Sequence, residues 1–241
     1  MTDIFITSWL RPDFTKRSIE HIVDRTDPGT YRIHVLDNQS SARTREPLLR
    51  MQDDGIITSL TLHSLNTKCL WGKAVFHAMV ESKSKYYVVT DNDVLPPKLS
   101  GGDWLSRMVS IMDNNPELAL LAPQLPPTWL QEPYARKNAD VVYCKAVGNT
   151  LKMVRREAYP TYPQSMEKFG DDGMVSQLVT EAGYKVGFCA DIFCLHLGQT
   201  DNWGYESEEI NLDPRKAGYG APYRYTPEDT NTFRPPQSLI F

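Results

Sequence analysis

The sequence has no hydrophobic run long enough to cross a membrane, because no stretch approaches about 18 consecutive apolar residues. The first residues lack the basic region and apolar core of a secretion signal. The four cysteines show no Cys-x-x-Cys spacing, and lone cysteines in apolar runs are mostly buried thiols. These absences predict a cytoplasmic chain in a reducing compartment, without a transmembrane segment.

An excess of positive charge is also missing. The 241 residues carry a formal net charge of -4, so the charge balance does not support a nucleic-acid partner. Hydrophobic residues make up 41% and charged residues 23% of the chain, which is ordinary for a globular protein. This length suits one large α/β domain, or one domain followed by a tail.

The most informative segment is YYVVTDNDVLPP, which begins at Tyr86. Its β-branched first half predicts a buried strand that ends at Asp91-Asn92-Asp93, before two prolines. Open α/β sheets bind ligands at the carboxyl ends of their strands. Two neighbouring carboxylates repel each other, and a divalent cation bound to phosphate oxygens would satisfy both. Asp and Asn are also ordinary turn residues, so the segment alone supports a plain loop equally well.

Hydrophobic periodicity in the rest of the chain predicts alternating strands and helices. The expected strands cover residues 4–9, 31–36, 56–62, 86–91, 118–122, 141–147, 150–154, 184–188 and 192–195. The expected helices cover residues 14–23, 72–82, 104–112 and 174–182. This alternation predicts an α/β fold with a mainly parallel central sheet flanked by helices.

The order of these segments resembles that of the GT-A glycosyltransferases, especially the large inverting group called family two. The resemblance covers about residues 3 to 198. It rests on ITSWLRP (6–12), VLDNQS (35–40), the 66–74 segment, DND (91–93), GNT (148–150), VRREA (154–158), GDD (170–172), GY (183–184) and CLH (194–196). The chain departs from the family pattern at Gly148, where a Gly-Gly pair is common, and at Asp171, which replaces a glutamate.

The resemblance implies a single Rossmann-like GT-A domain over residues 1–198. An irregular tail with aromatic residues and prolines would follow over 199–241, as a lid or an acceptor-side segment. The implied enzyme is a metal-dependent transferase that moves a sugar from a nucleotide-sugar donor to a hydroxyl, with inversion. A UDP-sugar is favoured over a GDP-sugar, and the acceptor would be a carbohydrate, a glycan or another hydroxyl compound.

The resemblance also implies roles for individual residues. The metal ligands would be Asp93, Asp91 and His196, and the ion would be Mn2+ or Mg2+. Asp172 would act as the general base, with Asp171 as the next choice. The residues implied to bind the donor are Thr7, Ser8, Trp9, Arg11, Asp37, Asn66, Lys73, Asp91 and Asn92.

Three other functions remain open on the sequence. A nucleotidyltransferase would use a related sheet, but the Gly-rich basic phosphate loop is missing and Arg11-Pro12 is a poor substitute. A phosphatase of the haloacid-dehalogenase type would use Asp91 as nucleophile, although such enzymes usually carry their Asp-x-Asp on the first strand. A carbohydrate-binding scaffold would keep the fold without turnover.

Overall fold

In the computed structural model of the chain, residues 1–63, 82–125, 140–158 and 172–197 are described, together with a short strand near the C-terminus. The helix expected over 72–82 lies almost wholly outside the described residues. The tail expected over 199–241 also lies outside them, apart from that strand.

Strands and α-helices alternate through the first part of the described chain. The strands are β1 (Thr2–Ser8), β2 (Tyr31–Asn38), β3 (Ser59–His63), β4 (Tyr86–Asp91), β5 (Val94–Leu95), β6 (Lys98–Leu99), β7 (Leu118–Gln124), β8 (Val141–Cys144), β9 (Lys152–Arg155), β10 (Lys185–Phe193), β11 (Leu195–His196) and β12 (Leu239–Ile240). The α-helices are α1 (Pro12–Asp24), α2 (Ala42–Asp53), α3 (Trp104–Asn114) and α4 (Asp172–Glu181). A 3-10 turn follows β9 at Arg156–Ala158.

Eight of these strands form one sheet in the order β3-β2-β1-β4-β9-β7-β10-β8. Strands β3, β2, β1 and β4 are all parallel neighbours, and β7 is parallel to β10. Strand β9 runs antiparallel between β4 and β7, and β8 is antiparallel to β10 at the edge. The mainly parallel central sheet predicted from the sequence is therefore confirmed.

Helices pack on both faces of the sheet, and consecutive side chains of its strands point to opposite faces. In β4, Val88 belongs to a core cluster that also contains Ile19 of α1 and Trp104 of α3. Its neighbour Val89 belongs to a second cluster, which contains Val179 of α4. A continuous apolar strand is the sequence pattern that such two-sided burial requires.

One helix was not expected from the sequence. Helix α2 buries only Thr44, Leu48 and Met51, and it contains Pro47. The apolar stripe is therefore narrow, and the proline argues against a helix, so periodicity gives little signal there. No helix among the described residues is long and apolar enough to cross a membrane.

Candidate active site

Three parallel strands deliver polar residues to the same edge of the sheet. Strand β1 pairs with β2 so that Ser8 lies opposite Asp37. It pairs with β4 so that Thr7 lies opposite Asp91. The carboxyl ends of β1, β2 and β4 are therefore adjacent, at the edge where α/β sheets bind ligands.

Asp91, Asp93 and His196 form a cluster that could hold a metal ion. One potential ligand atom from each side chain lies within 4.8 Å of the other two. His196 arrives there because β11 pairs with β5, which places it opposite Val94. The backbone N-H of Leu197 also donates to the carbonyl oxygen of Asp93 at 2.7 Å. A two-stranded ribbon therefore brings a distant histidine to the end of β4.

Arg11 already provides a positive charge at this cluster. Its Nη1 lies 2.6 Å from Oδ2 of Asp93, and its Nη2 donates to Oδ1 of Asn92. Only 6% of the Arg11 side chain and 2% of the Asp93 side chain are exposed. The backbone reaches this position through two left-handed residues, Leu10 at φ 56 and Arg11 at φ 54, directly before Pro12 begins α1.

The pKa values of the cluster reflect these close charges. Burial alone would raise the pKa of Asp93, but Arg11 and His196 outweigh burial and hold that pKa well below its ordinary value. Burial alone would lower the pKa of His196, but the Asp93 carboxylate at 3.2 Å raises it above the ordinary value. Asp93 therefore stays ionised, and positive groups surround it.

A second polar group lies at the ends of β1 and β2. Asp37 is fully buried, and its Oδ2 accepts the N-H of Ser40 at 3.0 Å and the Nε-H of Arg45 at 2.8 Å. Within the described part of the chain, Oδ1 of Asp37 and Oγ of Ser8 are buried without a hydrogen-bond partner. Buried oxygens of this kind normally receive a hydrogen bond, so the Ser8–Asp37 pair suits a ligand that brings donors.

The other expected site residues fall into two groups. The Thr7 hydroxyl donates to the carbonyl of Thr90 at 3.4 Å, and Trp9 is partly buried in the loop before α1. Asn66, Lys73 and Asp171 lie outside the described residues. Asp172 is the first residue of α4, and its side chain also lies outside the description.

Two charged residues near this edge were missed by sequence reasoning. Arg45 binds Asp37 from helix α2, and it could not be anticipated because that helix was not expected. Lys152 is fully buried in β9, opposite Val89 of β4. A lysine directly before the apolar pair Met153-Val154 was the available signal, because an ammonium group is buried only at high cost unless it is paired.

Several solved sugar transferases share this fold. The mannosyltransferase PcManGT from Pyrobaculum calidifontis, in complex with GDP-Man and Mn2+, has a TM-score of 0.65 at 15% identity, over 84% of this chain and 58% of its own. S. aureus TarS 1-349, in complex with UDP-GlcNAc, has a TM-score of 0.57 at 12% identity, over 80% of this chain and 58% of its own. GalNAc-T7 with UDP, GalNAc and Mn2+ has a TM-score of 0.58 at 10% identity, over 81% of this chain and 44% of its own. The chain thus spans about half the length of these proteins, and the predicted GT-A fold is confirmed.

The sequence matches the profile named Glycosyl transferase family 2 over residues 3–161, which is more than half of the 241 residues. No curated protein sequence matches the chain. The matched range contains Asp91-Asn92-Asp93 and both left-handed residues before α1, but it ends before Asp172 and His196.

Proposed function

Because the chain belongs to glycosyl transferase family 2, we propose that it is a metal-dependent, inverting enzyme that uses a nucleoside-diphosphate sugar. One observation carries the proposal. The ligand atoms of Asp91, Asp93 and His196 lie within 4.8 Å of one another, at the sheet edge that also carries the Ser8–Asp37 pair. The first group suits a metal that binds a diphosphate, and the second suits a nucleobase.

The cluster fits a divalent cation in charge and ligand type. Carboxylates and imidazole together suit Mn2+, whereas Mg2+ prefers oxygen ligands alone. The buried guanidinium of Arg11 on Asp93 supports a site that stabilises positive charge. A bound ion would act there as a Lewis acid toward the diphosphate leaving group. The Mn2+ named in the complexes of PcManGT and GalNAc-T7 supports the same choice.

The Ser8–Asp37 pair is proposed to recognise the base of the donor. Oδ1 of Asp37 is a buried acceptor, to which the imino N-H of uracil or guanine could donate a hydrogen bond. Arg45 and the backbone of Ser40 hold the other carboxylate oxygen, so Asp37 would keep its orientation in the absence of a ligand. We favour a UDP-sugar, as in the TarS complex, and a GDP-sugar, as in the PcManGT complex, remains the second choice.

Asp172 is proposed as the base that takes the proton from the acceptor hydroxyl. It begins α4, the helix that covers the sheet face on which Val89 lies. In an inverting reaction the base acts on the side of the sugar opposite the leaving group. Asp172→Asn should therefore abolish transfer and leave donor binding intact, whereas the neighbouring Asp171→Asn should retain transfer. Transfer by the first variant at the wild-type rate would exclude this base.

The C-terminal segment over 199–241 is proposed to complete the acceptor side of this site. Its last described part, β12, pairs with β6 so that Leu239 lies opposite Leu99. Strand β6 follows Asp93 by only a few residues. A lid formed by this segment would exclude water from the reaction.

Thermal unfolding with UDP, GDP, CDP, TDP or ADP, each with Mn2+, Mg2+ or EDTA, tests the donor assignment. A ligand that binds the folded state raises the melting temperature by mass action. We expect the largest increase with UDP and Mn2+, and none with UDP in EDTA. The anomeric configuration of the product, determined by NMR, then tests inversion. No increase with any nucleotide would overturn the proposed function.

A further inference from the structure

We propose that Arg11 is a positioning residue. It pairs with the Asp93 carboxylate until a divalent cation binds, and its guanidinium then pairs with the diphosphate of the donor. This inference rests on the metal-dependent function proposed above. The guanidinium and a divalent cation would compete for the charge of the Asp93 carboxylate. Metal and nucleotide are therefore expected to bind cooperatively.

The positive charge already paired with Asp93 favours this displacement. Oδ2 of Asp93 is held by Arg11 at 2.6 Å, and Oδ1 lies 3.2 Å from Nε2 of His196. Within the described part of the chain, Oδ1 has no hydrogen-bond partner, so it is the oxygen that an ion would meet first, beside the Arg11 pair on Oδ2. A divalent cation bound directly to Asp93 would lie within a few ångströms of the guanidinium, and the two positive charges would repel each other in a buried site.

The backbone that carries Arg11 is strained. Leu10 and Arg11 both have left-handed φ values, 56° and 54°, which residues other than glycine seldom adopt. Such conformations persist only where the surroundings hold them. Here the holding contacts are the Leu10 N-H bond to Oγ of Ser40 at 2.8 Å and the Arg11 bonds to Asp93 and Asn92. Loss of the Asp93 contact would therefore allow this loop to relax.

A diphosphate is the natural second partner for the released guanidinium. Arg matches phosphate oxygens with paired N-H donors, as it matches a carboxylate. When a metal replaces Arg11 at Asp93, the charge of the carboxylate remains balanced and the guanidinium becomes available to the donor. Each ligand then favours the arrangement that the other needs, and the coupling must be reciprocal.

The test measures Mn2+ binding directly, from the electron paramagnetic resonance signal of free Mn2+, without nucleotide and without turnover. Arg11→Gln removes the competing charge, so we expect it to bind Mn2+ at least about ten-fold more tightly than the wild type. Arg11→Lys keeps the charge and should stay within about three-fold of the wild type. If Arg11 only supported the shape of the site, Arg11→Gln would bind Mn2+ more weakly. Equal or weaker binding by that variant overturns the proposal.

Arg32→Gln is the control for the loss of one positive charge. Arg32 also binds a buried aspartate, Asp3, at 2.7 Å, but it does so at the opposite end of the sheet. We expect the Mn2+ affinity of this variant to equal that of the wild type. A gain as large as that of Arg11→Gln would show a general effect of net charge and would overturn the local explanation.

A measurement on the unaltered protein covers the case in which Arg11→Gln does not fold. UDP at saturation should tighten Mn2+ binding by at least about ten-fold, and Mn2+ should tighten UDP binding by the same factor. Tight Mn2+ binding that is independent of UDP would overturn the role of Arg11 while leaving a metal-dependent transferase intact. No Mn2+ binding by any form, with or without UDP, would overturn the proposed function itself.

Discussion

Replacement of Asp37 by asparagine should weaken nucleotide binding through one hydrogen bond. The buried carboxylate keeps Oδ2 on Ser40 and Arg45 and leaves Oδ1 for a donor. Asparagine has nearly the same shape, but it has no charge, and one of its two terminal atoms is a donor. The variant therefore loses either the hydrogen bond from the base or the hydrogen bond from Arg45.

The size of the effect follows from the type of bond. A hydrogen bond to a charged group contributes about 1.5–3 kcal/mol. Since about 1.4 kcal/mol corresponds to ten-fold in affinity, Asp37→Asn should weaken UDP binding by roughly 10- to 150-fold. The affinity for Mn2+ without nucleotide should stay unchanged, because Asp37 does not belong to the Asp91, Asp93 and His196 cluster.

Isothermal titration with UDP and with its N3-methyl analogue separates this bond from other causes. Methylation removes the imino donor, so the wild type should lose most of its affinity for the analogue, and Asp37→Asn should bind both ligands with similar weakness. The two changes should thus be strongly non-additive. Equal binding of both ligands by the wild type would refute the assignment of Asp37 to the base, and so would wild-type affinity of Asp37→Asn for UDP.

Three further predictions concern stability. A Cβ on Gly187 would meet Cγ1 of Val141 at 2.6 Å, so Gly187→Ala should lower the free energy of unfolding in urea by about 1–3 kcal/mol; Gly101→Ala, whose Cβ would meet nothing within 4 Å, should change it little. Asp103→Ala removes the cap of α3 and should cost about 1 kcal/mol in the same assay. Burial raises the pKa of Asp3, but hydrogen bonds and Arg32 lower it by more, so this pKa lies below its ordinary value in the folded protein. Asp3→Asn should therefore be less stable than wild type above about pH 4, and the difference in melting temperature should shrink as pH falls below that value.

The fold was predictable because its central strands carry strong local signals. Continuous apolar runs in β1 and β4 follow from burial on both faces, and polar residues appear where each strand ends. Parallel pairing then brings Ser8, Asp37 and Asp91 to one edge without any further information. The position of β9 between β4 and β7 was not predictable, because the antiparallel insertion depends on a long connection and leaves no periodic pattern.

For the cluster of Asp91, Asp93 and His196, only the membership was predictable. Asp91 and Asp93 are neighbours in sequence, but His196 reaches them through the β11–β5 ribbon, which consists of two residue pairs. Pairing this short has too little periodicity to be read from a sequence. The resemblance to a known family named the histidine, and only the structure supplies the distance that makes it a ligand candidate.

Arg11 shows why a motif alone describes such a site incompletely. Its side chain reaches Asp93 because Leu10 and Arg11 adopt a left-handed backbone. Glycine would predict that conformation, and this loop contains none. A buried carboxylate nevertheless needs a positive partner, because an unpaired buried charge would take up a proton instead. In the structure these partners are Arg11 at Asp93 and Arg45 at Asp37. Under the proposed function, the base and the diphosphate of the donor would each bind near an aspartate that also pairs with an arginine.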